Sequence, residues 1–332
     1  MHNTNELQQN VEASDKLFSE LAAEWMQYKS TDLKASSYMR YHEMLTIYLL
    51  PVFGERSIAS ISRKEVETFA RKLLTHGGHK GKALSPGTVN GILSVLRALF
   101  TYYNNMYDLA CVDVRGIRMK QSPKPFRIFT RREQDRLNRY LIEHQTLCNL
   151  GILLSLYTGM RIGEVCALKW DGISLDERCI YVRQTMQRIP TQNPSGSRTS
   201  VILTTPKSIT SLRTIPLPNI LFSLLRNIEE DPDCFFLTAE PQQFIEPRTM
   251  ENHFDAAMKA CGIEGATFHT CRHTFATRCI ELGFDMKSLS EILGHASVKI
   301  TMDRYVHPSL EYKRENMNRL SSLMAESLET DD

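Results

Sequence analysis

The spacing of apolar residues limits the fold of this chain more than any other sequence feature, because helical spacing gives way to β-type spacing in only one short region. In the first third, apolar side chains recur every three or four residues, the spacing of one face of a helix. Short β-type runs appear only at Ile180–Val182, Val201–Leu203 and Arg213–Leu217. Helical spacing then resumes. The sequence therefore predicts a mainly α protein with a small antiparallel β-sheet.

Four helices are predicted before residue 110. The first two contain Leu17, Leu21, Trp25 and Tyr28, and then Tyr38, Tyr41, Leu45 and Tyr48. Pro51 and Gly54 are predicted to stop the second helix. Ser62 should cap a third helix that runs to about Leu74, and Ser85-Pro86 should open a fourth. Together they should form a small bundle.

A basic segment, Arg115–Lys124, separates this bundle from the rest of the chain and ends in Ser122-Pro123-Lys124-Pro125. Proline restricts its neighbours to extended backbone, so we place a domain boundary there. The predicted organisation is an N-terminal tail (1–11), a helical domain (12–110), a linker (111–126), a second domain (127–326) and a C-terminal tail (327–332).

The second domain should begin with a helix after Thr130, followed by a buried helix over Leu147–Tyr157. Pro190–Ser200, rich in Pro, Gly, Ser and Thr, is predicted to be an exposed excursion. Near the end of the chain, a helix should direct Phe268, Cys271, Phe275, Cys279 and Leu282 to the core.

Composition excludes several classes of protein. No run of about 18 apolar residues exists, so we expect no membrane span. The eight cysteines form no C-x-x-C pair, which favours buried free thiols in a reducing cytoplasm over a zinc or redox motif. Net charge is only +2, but residues 63–124 hold 11 basic and 4 acidic side chains. This excess suits either a DNA backbone or an ordinary solvated surface. The candidate DNA contacts are Lys80, Lys82, Arg97, Arg118, Lys120 and Lys124.

Five short segments carry candidate chemistry. In Thr158-Gly159-Met160-Arg161-Ile162-Gly163-Glu164, Arg161 should lie at a helix N-terminus, where an anion is favoured, or else pair with Glu164 at the surface. In Thr205-Pro206-Lys207-Ser208, Lys207 should lie on a turn between strands, although exposed hairpin lysines are common.

The other three segments lie near the C-terminus. Phe268-His269-Thr270-Cys271-Arg272-His273 should present His269 and Arg272 side by side, whereas a core helix with one surface arginine is the simpler alternative. Leu293-Gly294-His295 should place His295 just beyond a helix C-cap. Tyr305 follows in Thr301-Met302-Asp303-Arg304-Tyr305-Val306-His307, and it is one of 12 tyrosines.

The candidate residues follow the order Arg…Lys…His-x-x-Arg…Gly-His…Tyr. They lie in the motifs T-G-M-R-I-G-E-V-C-A-L, H-T-C-R-H-T-F-A-T, L-G-H and D-R-Y-V-H. In this order and these motifs the chain resembles the tyrosine recombinase (phage integrase) family from about Glu12 onward. Within that family it is most similar to integrases of conjugative transposons and phages. The resemblance implies a SAM-like helical domain that binds core DNA and a mixed α/β catalytic domain. It implies catalytic roles for Arg161, Lys207, His269, Arg272, His295 and Tyr305.

By this resemblance, two arginines hold the phosphate, Tyr305 attacks it to form a 3′-phosphotyrosine, His269 acts as base and Lys207 as acid. The reaction requires no metal, ATP or other cofactor. The implied partners are double-stranded DNA and three further copies in a tetramer, with accessory DNA-bending or directionality factors. The implied location is the bacterial cytoplasm at the nucleoid. The segment Glu311–Leu328 is amphipathic and should dock either on a neighbouring subunit or on its own domain.

Several alternatives stay open. Only about a dozen residues precede the first helix, so an arm-binding domain is expected to be either missing or not included in this sequence. A Xer-like dimer-resolving recombinase is the main alternative to a mobile-element integrase. A type IB topoisomerase would use the same chemistry. A non-catalytic DNA-binding regulator would not need all six polar residues, and a metal-dependent nuclease lacks a supporting cluster of Asp and Glu.

Overall fold

The computed structural model describes residues 15–78, 81–121, 126–191, 199–205, 209–228 and 231–305, together with positions 314, 317 and 318. The chain divides into two compact units. The first comprises Met1–Lys124 and Ile189–Ser200, and the second comprises Pro125–Arg188 and Val201–Asp332. Most of the described structure is helical, with small antiparallel sheets, as the apolar spacing predicts.

The first unit is a helical bundle. Its helices are α1 (Phe18–Ser30), α2 (Ala35–Met44), α3 (Leu50–Phe53), α4 (Arg63–His76) and α5 (Pro86–Tyr107). The caps lie where the sequence indicates, because the Ser62 hydroxyl accepts from the backbone N–H of Glu65 and the Ser85 hydroxyl from that of Thr88. One apolar stripe from each long helix enters a shared core, in which Trp25 stacks on Tyr41 at 5.5 Å between ring centroids.

The prediction that Pro51 stops the second helix is wrong. Helix α2 continues through a π-helical turn, Leu45–Leu49, into α3, and Pro51 lies in the first turn of α3. A proline ring collides with the carbonyl four residues earlier in a regular helix, and the wider turn before it relieves that collision. Gly54 caps the end, as predicted.

The described part of the segment after α5 contains no helix and is fastened to α5. Asp108 ends α5 in the left-handed conformation. The Asn90 amide donates to the carbonyl of Met119 at 2.9 Å and accepts from its N–H at 2.8 Å. Arg97 Nη1 donates to the carbonyl of Ile117 at 3.1 Å. These contacts hold residues 117–119 against the helix without any regular secondary structure.

The second unit begins with helices α6 (Arg131–Glu143), α7 (Leu147–Thr158) and α8 (Ile162–Ala167), followed by strands β1 (Ile173–Ser174), β2 (Cys179–Val182), β3 (Thr185–Pro190), β4 (Thr199–Thr204) and β5 (Arg213–Pro216). The second unit contains all of these elements except residues 189–190 of β3 and 199–200 of β4, which are grouped with the first. Helices α9 (Asn219–Leu225), α10 (Pro247–Ala260), α11 (Phe268–Glu281), α12 (Met286–Leu293) and α13 (Val298–Tyr305) complete its described part.

The strands form two small sheets. β1, β2 and β5 form an antiparallel sheet in the order β1-β2-β5, in which Ile180 pairs with Ile215 and Val182 with Arg213. β3 and β4 form a second sheet. The three predicted β-type runs lie in β2, β4 and β5, whereas β1 and β3 were not predicted. Of the predicted excursion, residues 192–198 lie outside the described part of the chain.

Helix α7 is buried, as predicted, and packs against α11. It ends at Gly159 in the left-handed conformation (φ 69°), where a Cβ atom would lie 2.7 Å from the Phe275 ring. This glycine therefore permits both the turn and the close approach of α11. The prediction that Leu282 faces the core is wrong, because α11 ends at Glu281 and Leu282 is 77% exposed.

The eight cysteines are free thiols, of which Cys111 and Cys261 are half-buried and the rest buried, as expected. No helix within the described ranges combines the length and the apolarity that a membrane crossing requires.

Candidate active site

Arg161 lies at the N-cap of α8, where the sequence placed it. Its Nη1 atom donates to Glu164 Oε1 at 2.8 Å, and its backbone N–H donates to Glu164 Oε2 at 2.8 Å. Its Nη2 atom reaches the carbonyl of Gly294 at 3.4 Å. The alternative of a surface ion pair is wrong in one respect, because Glu164 is buried while the Arg161 side chain is 37% exposed. Glu164 thus anchors Arg161 from beneath.

Arg213 is the second partner of Glu164, and nothing in the local sequence pattern singles it out. It begins β5, and its Nη1 and Nη2 atoms donate to the two carboxylate oxygens of Glu164 at 3.0 and 2.9 Å. Its Nε atom donates to the carbonyl of Ile292 at 2.6 Å. Burial alone would raise the pKa of Glu164, but the hydrogen bonds and charge of Arg213, with the charge of Arg161, lower it to about 2. Glu164 is therefore a carboxylate at neutral pH.

Arg272 is buried at the centre of the site. From α11 its Nη1 atom donates to the carbonyl of Gly159 at 2.6 Å, and its Nη2 atom donates to the carbonyl of Leu293 at 2.7 Å. Burial and the nearby positive charge of Arg161 lower the pKa of Arg272 to about 9, so its guanidinium stays charged at neutral pH. Arg272 does not emerge beside His269 as the helical spacing suggested, because it is 2% exposed whereas His269 is exposed.

His295 follows Gly294, which ends α12 in the left-handed conformation, as predicted. Its Nε2 atom lies 3.0 Å from Arg272 Nη2, and its Nδ1 atom lies 2.8 Å from Thr301 Oγ1. Because a guanidinium can only donate, Nε2 must accept, and the imidazole proton then resides on Nδ1 and is donated to the buried Thr301. The ring of His295 is thereby held from both sides.

Tyr305 lies against this group of residues. It is 7% exposed, and its ring is nearly parallel to that of His295, with 6.4 Å between centroids. Its hydroxyl lies 3.0 Å from Nδ1 of His273, and Phe126 packs edge-on against its ring at 5.4 Å. The tyrosine therefore approaches the Arg272–His295 pair within its own subunit.

The structure brings together four residues that the sequence singled out: Arg161, Arg272, His295 and Tyr305. His269 lies on the same helix as Arg272, and its ring meets that of His273 edge-on at 4.6 Å. Lys207 lies outside the described residues.

Three residues that line the site were missed by sequence reasoning: Arg213, His273 and Thr301. His273 and Thr301 had a signal, since His273 directly follows Arg272 in its motif and Thr301 begins the segment that contains Tyr305. In the described part of the chain, no group of three or more His, Cys, Asp or Glu side chains is arranged to hold a metal ion.

The basic residues expected to contact DNA lie in different environments. Lys82, Arg118 and Lys120 are exposed, and Arg97 is half-buried by its contact with the carbonyl of Ile117. Lys80 and Lys124 lie outside the described ranges.

Comparison with known proteins identifies the class. Residues 127–311 match the model of the phage integrase family, and residues 17–74 match the N-terminal SAM-like domain of phage integrases. The chain belongs to the phage integrase family, and it is a tyrosine-type site-specific recombinase that acts on DNA.

Its relatives include both mobile-element and Xer proteins. A XerC-like tyrosine recombinase of Caldanaerobacter subterraneus is 23% identical, with 95% of this chain and 85% of the relative covered. The ICEBs1 integrase of Bacillus subtilis is 23% identical, with coverage of 88% and 79%. Among solved structures, the Tn1549 transposon integrase in complex with a circular intermediate DNA matches with a TM-score of 0.72 and 20% identity, covering 91% of this chain and 98% of that one.

Proposed function

We propose that this recombinase cuts and rejoins DNA by forming a covalent bond between Tyr305 Oη and a 3′ phosphate. The observation that carries the proposal is the position of the Tyr305 ring beside His295, whose Nε2 atom lies 3.0 Å from the buried Arg272 guanidinium. A phosphodiester is an anion, and attack on it by a phenolic oxygen requires that its charge be balanced first. A buried guanidinium beside a tyrosine meets that requirement.

Arg161 and Arg272 would hold the non-bridging oxygens of the phosphate. Three of the five N–H groups of Arg272 are engaged by Gly159, Leu293 and His295, and we assign the other two to phosphate oxygens. Arg161 is half-exposed at the N-terminus of α8, where the helix also favours an anion. Because backbone carbonyls and Glu164 hold both side chains, little reorganisation would accompany the reaction.

The other groups would move protons. His295 Nε2 accepts from Arg272, so it could donate to the phosphate only after it gains a proton. By family resemblance, His269 is the candidate base for the Tyr305 proton, and Lys207 protonates the departing 5′ oxygen. The 5′ hydroxyl of a partner strand would reverse the step, so that the phosphotyrosine keeps the energy of the broken bond and no ATP is consumed. By family resemblance, no metal is required.

We assign the reaction to integration or excision of a mobile element. The likeness to the ICEBs1 integrase and to the Tn1549 transposon integrase supports this assignment. A Xer-like role in resolving chromosome or plasmid dimers is the second candidate, favoured by the similarity to XerA of Pyrococcus furiosus, 24% identical over 92% of this chain. Paired substrates distinguish the two: an integrase joins attachment sites of unlike sequence, whereas a resolving enzyme acts on two copies of one site.

The helical first unit, including the exposed Lys82, Arg118 and Lys120, would hold the DNA of the crossover site. A homotetramer is the expected assembly, in line with the structurally similar λ integrase tetramer bound to a Holliday junction (TM-score 0.62). Accessory bending or directionality factors would add control at the nucleoid.

Tyr305→Phe tests the proposal. On a nicked suicide substrate, the wild type should accumulate a covalent protein–DNA adduct, and the variant should form none while still binding DNA. Tyr140→Phe is the matched control, because Tyr140 lies on α6 and stacks on His144 rather than entering the site. Adduct formed by the Tyr305→Phe protein would refute the assignment of the nucleophile.

Lys207→Ala tests the assignment of the acid. Cleavage of an ordinary phosphodiester should slow by about 100-fold or more, the usual loss on removal of a general acid. A 5′-thio leaving group departs without a proton and should restore the rate. If the thio substrate is cleaved no faster than the ordinary one, Lys207 does not supply that proton.

A further inference from the structure

His273 contacts the proposed reacting atom, the hydroxyl oxygen of Tyr305. Its Nδ1 atom lies 3.0 Å from Tyr305 Oη, within the 2.6–3.2 Å that proton transfer requires. The two residues are 6% and 7% exposed. At this depth a hydrogen bond is stronger than in water, and the phenol proton is poorly accessible to solvent hydroxide.

The surroundings of His273 fix its imidazole in this position. Phe126 lies against the imidazole, 4.7 Å between centroids, and also against the ring of Tyr305 at 5.4 Å. The ring of the exposed His269 packs edge-on against the His273 imidazole, with 4.6 Å between centroids. His273 also follows Arg272 directly on α11, so the helix that holds the guanidinium holds the imidazole too. The histidine therefore cannot move away from Tyr305 without repacking both aromatic neighbours.

We infer that His273 is a further catalytic residue, which accepts the Tyr305 phenol proton directly through Nδ1. The inference rests on the proposed function, in which Tyr305 is the nucleophile. In the cleavage step the Oη–H bond breaks and Nδ1–H forms, while Oη bonds to phosphorus and the bond from phosphorus to the 5′ oxygen breaks. The 5′ oxygen takes its proton from Lys207, the proposed acid. During rejoining, Nδ1 returns its proton to Tyr305 as the phosphotyrosine bond opens.

This assignment moves the role of base for the Tyr305 proton from His269, to which the family resemblance gives it, to His273. His269 is exposed at the start of α11. His273 is enclosed and contacts the phenol. A free tyrosine ionises near pH 10, so at neutral pH the attacking oxygen benefits from a partner that removes the proton as the new bond forms.

The test is His273→Asn. The Asn side-chain amide places a hydrogen-bonding atom close to the position of Nδ1 but cannot accept a proton, so it keeps Tyr305 in place without acting as a base. On the suicide substrate at neutral pH, adduct formation should fall about 100-fold or more. The pH dependence should change as well: the wild-type rate levels off once imidazole is neutral, whereas the variant rate should keep rising with pH until the phenol itself ionises.

A second substitution distinguishes proton transfer from positioning. With 3,5-difluorotyrosine at position 305, the phenol is more acidic and needs a base less. The His273→Asn protein should then recover most of its lost rate at neutral pH, while the wild type changes by only a few-fold. His269→Asn should not be rescued in this way, and His253→Asn, on the exposed face of α10, should behave as the wild type.

The outcomes are separable from those that test the proposed function. A wild type that forms no adduct through Tyr305 would remove the proposed function itself. Normal adduct formation by His273→Asn, or a defect that difluorotyrosine leaves unchanged, would overturn the role of His273 alone. If His273→Asn fails to fold, the wild type with difluorotyrosine still decides. The test compares the pH–rate profiles of the proteins that carry tyrosine and difluorotyrosine at position 305. A rise in rate that moves to lower pH with the more acidic phenol would contradict the inference. A rise that occurs at the same pH in both proteins would support it.

Discussion

The buried carboxylate of Glu164 gives the most sharply defined prediction for stability. It accepts hydrogen bonds from Arg213 at 3.0 and 2.9 Å and from Arg161 at 2.8 Å. Glu164→Gln keeps the shape of the side chain but removes its charge. The Arg213 side chain, only 5% exposed, would then hold a buried positive charge beside an amide, and one amide N–H group would face the guanidinium groups.

Two routes give the magnitude. Breaking a buried ion pair by removing one partner typically costs about 3–5 kcal/mol. The lowering of the Glu164 pKa from 4.5 to about 2 corresponds to about 3 kcal/mol in favour of the charged form. We therefore expect Glu164→Gln to lower the free energy of unfolding of the second unit by about 3 kcal/mol at pH 7.

The pH dependence has a defined sign. Because the pKa of Glu164 is lower in the folded protein than in the unfolded chain, its contribution is complete above about pH 4.5 and is lost as pH falls towards 2. The difference between the wild type and Glu164→Gln should shrink across that range. This difference in unfolding free energy is measured by urea unfolding, followed by the fluorescence of Trp170, the tryptophan of the second unit.

Glu251→Gln is the matched control. Glu251 pairs with Arg248 on the exposed surface of α10, where removing one charge should cost less than about 1 kcal/mol. The reasoning would be refuted if Glu164→Gln lowered the unfolding free energy no more than Glu251→Gln does. It would also be refuted if the effect of Glu164→Gln stayed constant between pH 7 and pH 3.

Two further substitutions test how the site is held. Gly159→Ala places a Cβ atom 2.7 Å from the Phe275 ring at φ 69° and should lower the unfolding free energy by about 1–3 kcal/mol, measured by urea unfolding. An unchanged midpoint of urea unfolding would show that α11 can shift to accommodate the Cβ atom without loss of stability. Thr301→Val removes the acceptor for His295 Nδ1–H and leaves that donor buried, which should slow adduct formation about 5- to 150-fold, equivalent to about 1–3 kcal/mol. A wild-type rate would show that Thr301 does not orient the ring.

Local rules account for the parts of this fold that the sequence predicted well. The caps at Ser62 and Ser85 and the glycine stops at Gly159 and Gly294 were predictable, because each depends on a residue and its neighbours within one turn. The exposure of Leu282 was mispredicted, because helical spacing does not indicate where a helix ends against its core.

The sequence by itself determined the helical bundle, the short β-type runs and the order of the residues that were singled out, since these depend on spacing along the chain. Only the tertiary structure decided which groups meet at the site. Arg213 reaches Glu164 across 49 residues, and His273 reaches Tyr305 across 32. Such contacts follow from how helices and strands pack, and packing brings together side chains whose separation in sequence carries no periodic signal. The physical reason is that the contact with Arg213, which keeps Glu164 charged, and the burial around the Tyr305 hydroxyl exist only once the core has closed.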